Sequence, residues 1–190
     1  MNASRPEALL RGSTSEQSLV ELARAGDDHA FELLLDAQLD RAYRTALAIL
    51  RTDWDARDAC QEVFLAAWRQ LPSLRDPTRF RVWLDRIVVN ECRSLLRRRR
   101  SRVREIALDD DTDSGRHSVA EMPAIEDIDI VRRAFARLSP DQRTILALHH
   151  AEQRPVKEIA AILAIPTGTV MWRLHSARRA LERGLRDAAR

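Results

Sequence analysis

The sequence predicts an all-α protein with two helical domains joined by a flexible linker. Apolar residues recur at three- and four-residue intervals through most of the chain, which is the spacing of helices packed on one side. Strand-like alternation is absent, and only 5 of the 190 residues are glycine. Segment 101–125, with Gly115 and Pro123, has few large apolar residues and separates two blocks that do have them. An all-α class with two cores follows.

The first predicted domain extends over residues 16–100, after a polar tail, 1–15, that we expect to be loose. Its helices are expected to begin near Asp28, Trp54 and Thr78, the last of them after a proline-bounded loop. The residues expected to face the core are Phe31, Leu34, Leu35, Leu39, Ala42, Tyr43, Ala46, Leu50, Ala56, Ala59, Cys60, Val63, Phe64, Ala67, Phe80, Trp83, Leu84, Ile87 and Val88.

The second predicted domain extends over residues 126–190 and starts with a helix at about 127–138. Ser139 then has the hydroxyl of an N-cap, Pro140 suits a first helical position, and Gln142 can complete a capping box. A further helix is therefore expected to begin here.

Residues 156–179 predict two short helices joined by a tight turn. The first helix has an apolar stripe formed by Val156, Ile159, Ala160 and Leu163. Pro166 ends it, because proline disfavours helical dihedral angles in the preceding residue, and Thr167 is expected to be the next N-cap. The inward stripe of the second helix is Val170, Leu174, Ala177 and Leu181. By elimination, its solvent side carries Gly168, Trp172, His175, Ser176 and Arg179, with Arg173 and Arg178 on the flanks.

Two interpretations of this helix pair stay open. It is either a helix-turn-helix, which places its second helix in the DNA major groove, or an ordinary helical hairpin. Trp172 likewise either meets the groove or folds sideways onto a neighbouring helix.

Charge is distributed unevenly along the chain, although 32 basic residues nearly balance 29 acidic ones. A run of arginines ends the first domain, and the linker that follows it is acidic. A basic cluster is typical of a phosphate-binding surface, whereas an acidic stretch repels phosphate. The alternative is that the arginine run is only a solvent-exposed helix end that binds no ligand.

Composition and spacing argue against a metalloprotein, an enzyme, and a secreted or membrane protein. Cys60 and Cys92 are the only cysteines and lack metal-ligand spacing, so we expect reduced, packed thiols without metal or cofactor. The adjacent His149 and His150 have no ligand partner at metal-binding spacing. No glycine-rich phosphate loop or nucleophile elbow supports an enzyme. The chain has no secretory signal or long apolar span, which predicts a cytoplasmic protein without membrane insertion.

Two further stripes in the first domain carry polar chemistry. The second helix places an exposed leucine beside two carboxylates, in the set Asp58, Gln61, Glu62 and Leu65. This combination suits a protein partner with a basic, partly apolar face, although a plain solvated face has the same spacing. The third helix aligns Arg86, Asn90, Arg93 and Arg97, so that the arginines can follow a DNA backbone while Asn90 meets a base. Trp83 fits either the core or a stacking platform.

Two sets of residues in this chain resemble the bacterial ECF-type (extracytoplasmic function) sigma factors of the sigma-70 family. Asp58–Trp68, Phe80–Leu84 and Asn90 are similar to region two of that family. The residues similar to region four are Leu138–Arg143, Glu158–Ala160, Ile165–Val170, Arg173–His175 and Ala177–Arg178. Both sets occur in the family's order, and the resemblance extends from about Ser18 onward.

The resemblance implies a promoter-specificity subunit of RNA polymerase. Its first domain would bind core polymerase through Asp58, Gln61, Glu62 and Leu65 and would open the −10 element. The residues implied for that element are Arg75, Thr78, Arg79, Arg86, Asn90, Arg93 and Arg97, and the loop from Arg75 to Arg79 corresponds to one that captures a flipped base. The residues implied for the duplex −35 element are Thr167, Thr169, Met171, Trp172, Arg173, Ser176 and Arg178. An anti-sigma factor is left open as a further partner.

The chain departs from the family pattern in the second domain. Met171 and Trp172 stand where a basic and a small polar residue are usual, and Ser176 stands where arginine is common. Duplex recognition is therefore expected to be less electrostatic and more apolar. Pro155 replaces the usual serine cap, at a cost of about 1 kcal/mol in capping. A stand-alone repressor or activator would also use the helix-turn-helix but would not need the carboxylate-leucine stripe.

Overall fold

The computed structural model describes residues 15–106 and 126–188, and both parts are helical without any strand. The α-helices are α1 (Glu16–Arg24), α2 (Asp28–Leu50), α3 (Asp53–Gln70), α4 (Phe80–Ile106), α5 (Glu126–Ala136), α6 (Pro140–Leu146), α7 (Val156–Leu163) and α8 (Thr167–Ala188). We call α1–α4 the first unit and α5–α8 the second unit. The predicted all-α class with two helical regions is confirmed. Most of the expected tail and of the expected linker, residues 1–14 and 107–125, lies outside the described residues.

Side-chain caps begin the first three helices. The backbone amide of Ala30 donates to Asp27 at 3.0 Å, and that of Asp55 donates to Thr52 at 3.3 Å. Arg51 ends α2 in the left-handed conformation, with a φ of 74°. Only two residues, Arg51 and Thr52, therefore separate α2 from α3, which packs back against it.

The core of the first unit follows the predicted apolar stripes, with two differences. Leu39 is exposed, and Gln38 is buried in its place because its amide donates to Glu16 Oε2 at 3.1 Å. Glu16 belongs to α1, a helix that is not among the expected ones and that buries Val20 against α2. Helix α4 also continues to Ile106, past the boundary at residue 100 expected for the first domain.

In the second unit the expected capping box is confirmed. The backbone amide of Gln142 donates to the Ser139 hydroxyl at 3.2 Å, and the Ser139 amide donates to Gln142 Oε1 at 2.9 Å. Pro155 precedes α7 without any side-chain cap, as expected. Ala164, with a φ of 53°, ends α7. Helix α8 starts at Thr167, which is thus its first helical residue rather than the N-cap.

The close crossing of α5 and α8 depends on a glycine. A Cβ atom at Gly184 would lie 3.2 Å from both the Cα and the carbonyl oxygen of Ala134. Because backbone atoms cannot move aside easily, the absence of a side chain at Gly184 lets the two helices approach.

The two units pack against each other. Helices α2 and α4 contact α6, α7 and the π-helical turn Ala147–Ala151, and buried residues of both units form one hydrophobic cluster. No pattern in the sequence predicts this packing. It determines how the candidate surfaces of the two units lie relative to one another.

Candidate partner and nucleic-acid surfaces

Helix α3 presents the four residues expected to meet a protein partner as one solvent-facing stripe. Asp58, Gln61, Glu62 and Leu65 are all exposed, and Leu65 is 48% exposed. The opposite side of the helix, including Val63, is buried against α2 and α4. Within the described residues, no ion pair ties Asp58 or Glu62 to another side chain. Both carboxylates are therefore available to a basic partner.

Trp54 extends this stripe, although it is not among the residues expected to bind a partner. It lies four residues before Asp58, on the same side of α3, and is 80% exposed. A tryptophan is usually far more buried, so exposure of this extent makes Trp54 a candidate contact residue beside the other four. The spacing from Trp54 through Asp58 to Leu65 is the sequence pattern that could have identified it. We name Trp54, Asp58, Gln61, Glu62 and Leu65 the α3 stripe.

The loop from Arg75 to Arg79 is fixed by internal hydrogen bonds. Asp76 accepts from the Thr78 backbone amide at 3.0 Å and from the Thr78 hydroxyl at 2.6 Å. The Thr78 hydroxyl is the main reason why the pKa of Asp76 lies below its ordinary value. Arg75, Thr78 and Arg79 are exposed, and Arg79 Nε lies 3.6 Å from Asp76. The loop thus presents two guanidinium groups on a preorganised backbone.

Helix α4 places Arg86, Asn90 and Arg97 on one exposed face, as their spacing predicts. Arg93 lies in the same row but is half-buried, with its guanidinium 3.5 Å from Asp141 of the second unit. The row is therefore open along most of its length and partly covered at Arg93.

Two of the α4 side chains have structural contacts. The Trp83 ring is partly buried and packs on Phe80 at a centroid distance of 5.8 Å, which favours the core interpretation. Within the arginine run, Arg99 forms an ion pair with buried Asp55 of α3. Its guanidinium is therefore committed to the fold, whereas Arg97, Arg98 and Arg100 are exposed.

Helix α8 divides into a buried and an exposed side as expected. Val170, Leu174 and Ala177 are buried against the other helices of the second unit. Met171 is 62% and Trp172 is 68% exposed, which confirms the predicted surface position of Trp172. Among the other candidate −35 residues, Thr167 and Arg178 are exposed, and Thr169, Arg173 and Ser176 are half-buried.

A cleft of about 520 Å³ separates the exposed face of α4 from the second unit, and we call it the interdomain cleft. Helix α4 lines it with Arg93, Arg97 and Arg100, and α8 contributes Arg173. Candidate residues for the two DNA elements therefore face the same space. The concentration of guanidinium groups makes that space attractive to phosphate.

Among the residues that the structure describes, the thiols and histidines lie apart from any cluster of metal-ligating side chains. Cys60 and Cys92 are free and buried, and burial raises their pKa to about 11 and about 12. The rings of His149 and His150 are 4.6 Å apart, and burial lowers the pKa of His149. In residues 15–106 and 126–188, no three His, Cys, Asp or Glu side chains come together as metal ligands. None of the described helices has the length and apolarity needed to cross a membrane.

Comparison with protein-family models gives two matches. Residues 34–102 match "Sigma-70 region 2" and residues 128–181 match "Sigma-70, region 4". The first match contains the whole α3 stripe and the whole α4 row, and the second contains the exposed side of α8.

Curated proteins similar to this chain are named as sigma factors. The RNA polymerase sigma-H factor of Pseudomonas aeruginosa is 29% identical over 185 residues, covering 92% of this chain and 96% of that protein. The ECF RNA polymerase sigma factor SigM of Mycobacterium tuberculosis is 33% identical over 174 residues, covering 91% and 86%. The ECF RNA polymerase sigma-E factor of Escherichia coli is 31% identical over 180 residues, covering 88% and 93%.

Two solved structures share the fold. The sigma factor RpoE from Bartonella quintana, in complex with the anti-sigma factor NepR, superposes with a TM-score of 0.68 at 25% identity. The match covers 82% of this chain and 96% of that one. CnrH, in complex with the cytosolic domain of CnrY, superposes with a TM-score of 0.66 at 27% identity, covering 90% and 97%.

Proposed function

Because the chain belongs to the ECF group of the sigma-70 family, whose members are non-enzymatic transcription initiation factors, we propose that it binds core RNA polymerase and recognises −10 and −35 promoter elements. One observation carries this proposal. The α3 stripe and the exposed side of α8 occur in one chain, each within a segment similar to a different sigma-70 region. A stand-alone DNA-binding regulator needs only the second of these surfaces.

The α3 stripe is the proposed surface for core polymerase. Trp54 and Leu65 supply exposed apolar area at its two ends, and Asp58 and Glu62 lie between them. Tryptophan is prominent among residues that dominate binding energy, and carboxylates select a partner of opposite charge. The stripe therefore fits a polymerase element that combines basic side chains with an apolar patch.

The α4 row and the adjacent loop are the proposed surface for the −10 element. Arg86 and Arg97 are exposed and suited to phosphate, whereas the Asn90 amide can form paired hydrogen bonds with a base. The loop from Arg75 to Arg79 is held by the hydrogen bonds of Asp76 before any ligand arrives. A preorganised loop of this kind is suited to hold a base that has left the stack.

The exposed side of α8 is the proposed surface for the −35 element. Met171 and Trp172 are its large exposed hydrophobic side chains, and apolar side chains in the major groove contact thymine methyl groups. Arg178 on its flank is exposed and placed for phosphate. Recognition of the −35 duplex is therefore proposed to rely on shape and apolar contact more than on charge.

Two further assignments belong to the same proposal. An anti-sigma factor is proposed as a regulatory partner, which is supported by the two similar solved structures, both of them complexes in which this fold is bound by another protein. The cytoplasm is proposed as the location, because bacterial core polymerase and promoter DNA are found there.

Transcription in vitro tests the function directly. Core polymerase is incubated with this protein and a pool of bacterial genomic fragments, and the 5′ ends of the transcripts are sequenced. We expect start sites that share upstream −10 and −35 sequences and that are absent with core polymerase alone. Start sites identical with and without the protein would contradict the proposal, as would protein that binds promoter DNA but not core polymerase.

A further inference from the structure

The interdomain cleft carries positive charge that its own side chains do not balance. Arg93, Arg97, Arg100 and Arg173 line it, and Asp141 is the only acidic residue among the described ones that do so. Asp141 lies 3.5 Å from the Arg93 guanidinium. Within the described residues, Arg97, Arg100 and Arg173 form no ion pair. Three guanidinium groups are therefore available to an anion that comes from outside the chain.

The cleft has the size and the lining of a small-molecule site. Its volume of about 520 Å³ falls within the usual range for such sites, about 300 to 1,000 Å³. Pro140, Leu163 and Ile165 add apolar surface beside the arginines. A guanidinium group binds phosphate through paired hydrogen bonds, so several of them around one space suit a ligand with more than one phosphate. The main cavity therefore fits a short chain of phosphates.

A side cavity of about 270 Å³ lies next to the cleft and has a different lining. The two spaces share Ser139, Asp141 and Arg173. Trp172 lines only the side cavity and is 68% exposed, and a tryptophan ring can stack on any nucleobase. Gln142 lines it too. Its Oε1 accepts from the Ser139 amide, but within the described residues its amide nitrogen has no partner and can donate to a base edge. The side cavity therefore fits a nucleobase.

We propose that the interdomain cleft and its side cavity together bind a nucleoside polyphosphate. The phosphate groups lie against the arginines, and the base stacks on Trp172 beside the Gln142 amide. Arg173 lines both spaces, so one ligand can occupy the two at once. A nucleic acid strand has the same chemistry but only one phosphate for each base. Four guanidinium groups beside a single base-sized cavity favour a free nucleotide with several phosphates.

This ligand competes with promoter DNA for the same side chains. Arg97 is proposed for the −10 element, Trp172 and Arg173 are proposed for the −35 element, and the bound nucleotide occupies all three. Promoter recognition therefore falls as the nucleotide concentration rises. The competition rests on the proposed function, whereas the binding of the nucleotide does not.

Isothermal titration calorimetry on the full-length protein tests the site. The probes are ATP, GTP, inorganic tripolyphosphate and adenosine. Arg100→Glu reverses one charge in the cleft, and Arg98→Glu is its matched control at an exposed position outside the cleft lining. Trp172→Ala removes the stacking ring, whereas Trp172→Phe keeps an aromatic ring. All three positions are exposed, so the variants should fold, and circular dichroism checks this.

We expect one molecule of ATP or GTP to bind per chain, at least about fivefold more tightly than tripolyphosphate, because stacking of the base contributes that much. Adenosine alone should give no measurable heat. Arg100→Glu should weaken nucleotide binding about tenfold or more, the scale for hydrogen bonds to a charged group. Trp172→Ala should bind the nucleotide only as tightly as tripolyphosphate, whereas Trp172→Phe and Arg98→Glu should stay close to the wild type.

Three results would overturn the site. The first is no binding of either nucleotide at millimolar concentration. The second is equal affinity for nucleotide and tripolyphosphate, which would leave the base without a role. The third is equal weakening by Arg98→Glu and Arg100→Glu, which would mean that the nucleotide responds only to the overall charge of the arginine run.

Fluorescence anisotropy with a labelled −35 duplex tests the competition. At a nucleotide concentration nine times its own Kd, one site in ten is free, so the apparent Kd for the duplex should rise about tenfold. The rise should be only about twofold for Arg100→Glu at the same nucleotide concentration. An unchanged duplex affinity with nucleotide bound would overturn the competition. If the protein instead binds no promoter DNA and no core polymerase, the proposed function fails, and the calorimetry still decides whether the nucleotide site exists.

Discussion

Arg143 of α6 donates two hydrogen bonds to the backbone carbonyl of Ile49 in α2, from Nε at 3.0 Å and from Nη2 at 2.7 Å. This carbonyl belongs to the last turn of α2, where carbonyl groups have no partner within the helix and a cation is favourable. Arg143 Nη1 also donates to Leu138 at 2.6 Å. Burial lowers the Arg143 pKa to about 10, which leaves the side chain charged at neutral pH. One buried guanidinium thus joins the two units.

Replacing Arg143 should destabilise the protein measurably. Arg143→Met retains apolar bulk but leaves the Ile49 and Leu138 carbonyls without these donors. We expect the free energy of unfolding to fall by about 1 to 3 kcal/mol, the range for buried polar groups that lose their partners. Urea denaturation followed by circular dichroism measures it. Arg137→Met, at an exposed position, is the control and should change stability by less than about 0.5 kcal/mol. Equal stability of the two variants would contradict this role for Arg143.

Contacts between residues close together in the sequence can be predicted from local patterns, whereas contacts between distant residues cannot. The sequence predicts the Ser139 cap with Gln142 and the buried side of α8, because each depends on residues a few positions apart. Arg143 and Ile49 are 94 residues apart, so no local pattern links them. Gln38 looks like a surface residue until α1 supplies Glu16 as its partner. The helical spacing alone could have identified Trp54 as part of the partner surface, because it continues the row of Asp58 and Leu65.

The α3 stripe should be required for polymerase binding but not for folding. Glu62→Lys combined with Leu65→Ala reverses one exposed charge and removes exposed apolar area. We expect loss of retention on immobilised core polymerase with an unchanged circular dichroism spectrum, because neither side chain contributes to the core. Retention equal to that of the wild type would show that the stripe is only a solvated face.

Trp54→Ala tests the residue that extends this stripe. We expect weaker polymerase binding by about 1 to 3 kcal/mol, since an exposed tryptophan in a partner's pocket is a frequent determinant of affinity. Thermal stability should change little, because the side chain is 80% exposed. Arg69→Ala, exposed near the end of the same helix, is the control. Equal polymerase affinity of the two variants would show that Trp54 does not belong to the polymerase-binding surface, which would then consist of Asp58, Gln61, Glu62 and Leu65.

The α4 row should divide into positioning and base-recognising residues. Arg97→Ala should weaken promoter binding to a similar extent on all sequences and reduce its salt dependence, because a phosphate contact releases counterions. Asn90→Ala should instead change which −10 sequences are melted. Permanganate footprinting over a panel of promoters measures both effects. An Asn90→Ala protein that ranks the promoters as the wild type does would assign Asn90 a structural role.

The two cysteines should resist thiol reagents in the folded protein. With the Cys60 pKa at about 11, only about one thiol in a thousand is ionised at pH 8, whereas about a quarter is ionised in an unfolded chain. Burial also blocks access to both thiols. We expect Ellman's reagent to react slowly until urea unfolds the protein, and then to react rapidly with two thiols. A Ser73→Cys variant, exposed at the end of the short 3-10 helix Leu71–Ser73, should react at once with one thiol. Rapid reaction of native wild-type protein would contradict the buried placement.

Trp172 should contribute to −35 recognition and not to stability. Its ring is 68% exposed on the side of α8 opposite Val170 and Leu174, so truncation removes little buried area. We expect Trp172→Ala to melt within a few degrees of the wild type, yet to lose about 1 to 3 kcal/mol of binding free energy for its preferred −35 duplex. Met171→Ala provides the comparison, because it removes a neighbouring exposed apolar side chain of different shape.

Binding by fluorescence anisotropy on thymine-containing and uracil-substituted duplexes isolates the methyl contact. If Trp172 contacts thymine methyl groups, the wild type should lose affinity on the uracil duplex and Trp172→Ala should not. Equal losses for both proteins would place those methyl groups against another side chain.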